Sequence, residues 1–137
     1  MLKKSLLIAA PLALALIGVS LTQQTGAQVA PSPVKRTVIG KTEVPGSNYE
    51  VTTALVEIQP GFKAGRHLHP GTVIAQVLEG EFLLALDGQP EKTFKAGQSL
   101  EVPNSAIHNE GAVGSVPTKL IAVYVLEKGK PLAQPVK

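Results

Sequence analysis

Gly61-Phe62-Lys63-Ala64-Gly65-Arg66-His67-Leu68-His69-Pro70-Gly71 carries two of the three histidines in this chain of 137 residues. In an extended backbone successive side chains alternate between faces, so His67 and His69 project to the same side. The third histidine stands in Pro103-Asn104-Ser105-Ala106-Ile107-His108-Asn109, and beside the pair it completes a facial cap of imidazoles on a metal. Neutral imidazole suits zinc, copper, iron and nickel, and three nitrogens leave coordination positions open for water or substrate. A His-x-His pair alone often arises by chance. Here it follows a glycine-rich approach, precedes a Pro-Gly turn, and leads into an apolar run ending at Glu79-Gly80-Glu81. That context makes His67, His69 and His108 the candidate metal ligands.

Moving outward, apolar segments of strand length recur between turn residues: 37–39, 49–58, 73–78, 81–86, 92–94, 99–102 and 119–126. Short strands at this spacing predict an all-β sandwich or barrel. Asp87-Gly88 falls between two of them, where glycine readily supplies a positive φ, and Pro60-Gly61, Pro70-Gly71 and Pro103-Asn104 break other runs. The apolar runs are continuous rather than alternating, which predicts strands covered on both faces. Two sheets around one core, with an outer face buried in a homodimer, would account for this. Phe82, Leu84, Val73, Ala75, Val77, Leu100, Val102, Ile121 and Val123 are the candidates for core or cavity lining, alternate members facing inward.

The chain opens Met1-Leu2-Lys3-Lys4, continues through an apolar stretch from Leu6 to Leu21, and then becomes small and polar up to Ala30. This is the pattern of a secretory signal peptide, with cleavage expected after Ala27. Pro11 and the small residues that follow favour cleavage over a retained anchor. The expected organisation is therefore a signal peptide over 1–27, an exposed lead-in over 28–35, a β-barrel domain over 36–127 and a polar tail over 128–137 outside the core. The expected location is the periplasm or the exterior, with no stable membrane anchor after cleavage.

Lys3 and Lys4 leave with the leader, so eleven Lys and Arg then face ten Asp and Glu. Without a basic run, nothing points to nucleic acid. The chain has no cysteine, so core packing or metal must hold the fold without disulfides.

Gly61 through Gly80 resembles the first conserved motif of the cupins: Gly, five residues, His-x-His, three or four residues, Glu, six residues, Gly. Gly97-Gln98-Ser99-Leu100-Glu101-Val102-Pro103 through His108 is similar to the second, in which Gly and Pro precede a histidine. The resemblance implies a six- to eight-stranded jelly-roll barrel whose histidines hold a divalent metal inside a small cavity. The superfamily includes dioxygenases, isomerases, decarboxylases, lyases and binding modules, so the fold does not name a reaction.

Departures from the motifs carry expectations too. The usual motif glutamate falls on Val73, leaving a centre of three neutral nitrogens with up to three open positions. Such sites resemble those of cupin dioxygenases on iron(II), with nickel, copper, manganese and zinc as alternatives. By strand parity Gln76 faces away from Val73 and is no substitute. Ser105 replaces a motif glycine and Ala112 the final asparagine. Glu101, Glu110 and Tyr124 are the candidate acids or bases, each read more readily as a solvated or packing residue than as a catalyst, and Arg66 reads as surface charge. Two functions follow: a dioxygenase-like oxidoreductase acting on a small molecule, or a non-catalytic module binding metal or a small ligand.

Overall fold

The computed structural model describes residues 32–137; the leader expected over 1–27 and residues 28–31 of the lead-in lie outside them. The strands in chain order are β1 (Val34–Glu43), β2 (Tyr49–Ile58), β3 (His67–Leu68), β4 (Gly71–Glu79) and β5 (Glu81–Leu86). They continue with β6 (Lys92–Lys95), β7 (Ser99–Val102), β8 (His108–Val113), β9 (Thr118–Glu127) and β10 (Gln134–Pro135). They form two antiparallel sheets, ordered β1-β2-β9-β4-β7 and β10-β3-β8-β5-β6. This is the all-β architecture that the strand and turn pattern predicts.

Alternation builds the core. Along β9 every second residue is buried, from Thr118 and Leu120 to Ala122, Tyr124 and Leu126. Ala54, Val56 and Ile58 of β2 and Val73, Ala75 and Val77 of β4 join them from the same sheet, facing Phe82, Leu84 and Ala112 of the other. Burial of these side chains is the main force that closes the two sheets on each other.

Within the single chain these strands are covered on one face. Ile121 and Val123 point to the outer face, across from Gln76 and Ile74, and Ile74 and Leu78 remain 50% and 41% exposed in the single chain. Gln76 points outward, as its parity with Val73 requires.

The reading of the tail is corrected. Rather than staying outside the core, the tail runs back along the edge of the second sheet. β10 pairs with β3, Val136 N–H donates to the Arg66 carbonyl at 3.0 Å, and Leu132 packs against the core. A terminus tied down by backbone pairing and an apolar anchor becomes part of the domain.

Candidate metal centre

β3 and β8 are short and polar by strand standards, and their pairing builds the site. His67 and His108 are register partners, which brings their rings to a centroid distance of 4.2 Å. Close approach of directly opposite side chains is what an antiparallel pair provides. His69, two residues beyond His67, points to the same side and completes the group, 5.1 Å from His67 and 5.0 Å from His108.

Each imidazole is oriented from behind. Nδ1 of His67 lies 2.8 Å from the Gly65 carbonyl oxygen, Nδ1 of His108 lies 2.9 Å from that of Ala106, and Nδ1 of His69 contacts that of Leu132. A carbonyl only accepts, so in the neutral rings Nδ1 carries the proton and Nε2 keeps its lone pair. That backbone support fixes the tautomer a metal ligand needs.

Glu110 is the fourth member, and it corrects the expectation of a centre without a carboxylate. Along β8 it stands two residues after His108, on the same face. Its Oε2 lies 3.7 Å from His108 Nε2 and its Oε1 lies 3.9 Å from His67 Nε2. One potential ligand atom from each of His67, His69, His108 and Glu110 falls within 4.8 Å of the others. Val73, where the motif glutamate would fall, is part of the apolar wall instead.

The donor set fits a divalent ion. His108 Nε2 is buried and has no hydrogen-bond partner among the described residues. A buried polar atom left in this state is costly. An ion between the four groups would satisfy it, and three imidazoles with one carboxylate suit first-row transition metals.

The electrostatics follow from crowding. Burial lowers the His108 pKa, but the Glu110 carboxylate and the Ala106 carbonyl outweigh it and hold the group above its usual value. Burial drives His69 down, and only in part do the Leu132 carbonyl and the Glu110 charge oppose this. Glu110 is pushed up by burial but held lower overall by the three histidines.

Of the remaining candidates, the structure gathers Tyr124 into the site and leaves Glu101 out. The Tyr124 ring packs edge-on to His69 at 5.7 Å, and burial raises its hydroxyl above the ordinary phenol value, aided by Glu110 and opposed by Arg36. Glu101 is solvent-exposed on β7, on the opposite face from buried Val102. Arg66 is half exposed and paired with Asp87.

Sequence reasoning passed over two residues. Asn109 accepts hydrogen bonds through Oδ1 from Gly65 N–H at 3.0 Å and Glu110 N–H at 2.9 Å, tying the glycine-rich approach to β8. Arg36 reaches in from β1, its Nη2 3.9 Å from Glu110 Oε1. No local pattern marks Arg36; only its register opposite Val56 puts it on the inner face.

Inside the centre, His69, Glu110, Tyr124 and apolar side chains enclose about 20 Å³. That holds roughly one water. A wider surface hollow of about 220 Å³, the mouth, touches the cluster at His67 and is otherwise bordered by Arg36, Ala64, Arg66, Ala133 and Pro135.

A family model described as the cupin domain matches residues 54–124. No curated protein matches the sequence. A cupin-like protein of Thermotoga maritima is 25% identical, with a TM-score of 0.60 over 75% of this chain and 74% of that one. An uncharacterized conserved protein of Klebsiella pneumoniae with a double-stranded beta-helix domain is 19% identical, with a TM-score of 0.61 over 78% and 90%. The DMSP lyase DddQ of Ruegeria pomeroyi is 18% identical, with a TM-score of 0.56 over 66% and 44%. The last two likenesses are of fold alone.

Proposed function

This chain belongs to the cupin domain family, and from that premise we propose that it is a metal-dependent oxidoreductase of dioxygenase-like chemistry acting on a small organic molecule. The observation that carries the reading is the gathering of four ligand atoms within 4.8 Å, with each imidazole oriented by a backbone carbonyl. His67, His69, His108 and Glu110 would hold a divalent transition metal, iron(II) by preference. Such an ion supplies a Lewis-acidic, redox-active centre with coordination positions left for substrate and a second reactant.

The chain's own residues do the rest. Glu110 balances part of the ion's charge and is the one carboxylate in the group. Tyr124, its pKa raised by burial, stays a neutral O–H donor near neutral pH. The walls formed by Val56, Val73, Phe82 and Leu100 keep bulk water away, which strengthens every polar contact made there. Because the inner space holds only about one water, substrate binds from the mouth.

The secretory leader expected over 1–27 would carry this activity to the periplasm or outside the cell. Metal analysis of the full-length protein purified after expression, beside His67→Ala/His69→Ala, tests the centre. Near-stoichiometric metal lost in the double variant is expected, and equal metal in both would overturn it. Oxygen uptake by the iron(II)-loaded protein over a panel of small organic substrates tests the reaction. Uptake with none, despite a filled centre, would instead support the non-catalytic binding module.

A further inference from the structure

The two arginines at the mouth are not equivalent. Arg66 is committed: its guanidinium pairs with Asp87 and also donates to the Lys137 main-chain oxygen at 3.3 Å. Arg36 faces the Tyr124 hydroxyl but has no carboxylate or main-chain oxygen at hydrogen-bond length among the described residues. Among the described residues its one carboxylate neighbour is Glu110, and 3.9 Å is beyond hydrogen-bond length. Glu110 is itself shared with His67 and His108.

Arg36 is also placed to act. It lies on β1, the edge strand of its sheet, its side chain is about one-third exposed at 35%, and it borders the hollow together with His67. The hollow therefore runs from solvent past a guanidinium with no carboxylate at hydrogen-bond length to a histidine of the cluster. At about 220 Å³ it is smaller than the pockets that hold drug-sized ligands, so its occupant has only a few carbons.

We infer that this mouth is an anion subsite, in which Arg36 receives the carboxylate of a small organic acid as it approaches the centre. The inference rests on the proposed metal centre for its charge balance. Three neutral imidazoles, one carboxylate, a divalent ion and Arg36 leave a net positive charge of two, which an acid of one or two carboxylates offsets. The guanidinium presents paired N–H donors in a plane, matching both oxygens of a carboxylate. One acid group on Arg36 leaves the rest of the molecule directed at His67 and the cluster.

Calorimetric titration of the full-length protein with malonate, acetate and the uncharged acetamide tests the assignment, on metal-loaded and chelator-treated samples alike. Malonate binding is expected in the loaded sample, and weaker binding in the stripped one, with none for acetamide. Arg36→Gln should lower malonate affinity at least tenfold in both samples while metal content and melting temperature stay at wild-type values. Arg36→Lys, which keeps the charge without the fork, should fall between. Arg66→Gln should change affinity less than threefold. Equal losses in Arg36→Gln and Arg66→Gln, or malonate affinity unchanged in Arg36→Gln, would overturn the role of Arg36 and leave the metal centre standing. A protein that takes up no metal would remove the centre, and the stripped sample would still decide the subsite, because Arg36 keeps its charge without an ion.

Discussion

The Nδ1 of His69 donates to the carbonyl oxygen of Leu132, 63 residues further along the chain. The same tail pairs with β3 through Gln134 and Pro135, so one segment both orients a ligand and borders the mouth. Groups that orient metal ligands from behind typically contribute a factor of 10–100 in metal affinity. Deleting residues 131–137 should therefore weaken metal binding by about 10- to 100-fold, while the two sheets remain folded. Chelator competition measures the affinity and far-ultraviolet circular dichroism the fold. Unchanged affinity in a folded truncated protein would show that the Leu132 carbonyl is dispensable.

Ser105 has a φ of 57°, in the left-handed region, at the position where the family motif has glycine. Its N–H donates to the His69 carbonyl at 3.1 Å, so the turn is held by the site it supports. A side chain in this conformation costs about 1–2 kcal/mol, partly offset by the unfolded-state entropy that glycine adds. Ser105→Gly should stabilise the protein by about 0.5–1 kcal/mol, a rise of a few degrees in melting temperature for a domain of this size. A lower melting temperature would mean that the hydroxyl contact to Asn104 Oδ1, at 2.9 Å, outweighs the backbone strain.

Gly111 lets the approach loop cross β8. A Cβ there would meet the Phe62 carbonyl oxygen at 2.2 Å, and the neighbouring bonds, Ala112 N–H to Phe62 and Ala64 N–H to Glu110 at 3.1 and 2.8 Å, leave the backbone little room to yield. Gly111→Ala should cost about 1–3 kcal/mol, as overpacking does, and should also lower metal affinity because Glu110 is next in the chain. Denaturant unfolding measures the first effect and chelator competition the second.

Acid should empty the centre. His108 is held above its usual 6.5, so in the metal-free protein its contribution to stability is present below 6.5 and is lost as pH rises through the folded value. Glu110 is held below its usual 4.5, so its contribution is present above 4.5 and is lost as pH falls through the depressed value. His69, lowered from 6.5, opposes stability as pH falls below 6.5. Metal binding must expel the His108 proton, so affinity should begin to fall at a pH above that of an ordinary histidine. The gain in melting temperature on adding metal should begin to shrink while the pH is still above 6.5 and keep shrinking as it falls further. A gain independent of pH would argue against imidazole ligands.

Much of this architecture is legible in the chain, and the exceptions share a cause. The runs at 49–58, 81–86 and 99–102 coincide with β2, β5 and β7, because apolar and β-branched residues there meet the ordinary demands of a packed strand. β8 escapes that reading: His108-Asn109-Glu110-Gly111-Ala112-Val113 spends its positions on the cluster, on a link to the approach loop and on a close backbone crossing. Functional segments break local rules in this way. β3 and β10 are two residues each, too short for any period. Arg36 is invisible because only the β1–β2 register decides which face it joins.

Glu110 was within reach of the same parity that pairs His67 with His69. His108-Asn109-Glu110 on an extended strand puts the carboxylate and the imidazole on one face; the motif instead directed attention to position 73, where valine stands. Glu110→Gln keeps the size of the side chain and removes its charge, which separates the two parts it plays. Without the negative charge, a divalent ion among three neutral imidazoles loses its one anionic neighbour in the group, so affinity should fall by at least tenfold, on the order of a lost charge-assisted contact. The same change removes the main cause that raises His108, so the acid limb of metal release should move to lower pH even as binding weakens overall. Isothermal titration with manganese(II) and zinc(II) over a pH series reads both effects. A weaker affinity with an unshifted pH profile would make Glu110 a ligand without influence on His108, and an unchanged affinity would return the centre to three histidines alone.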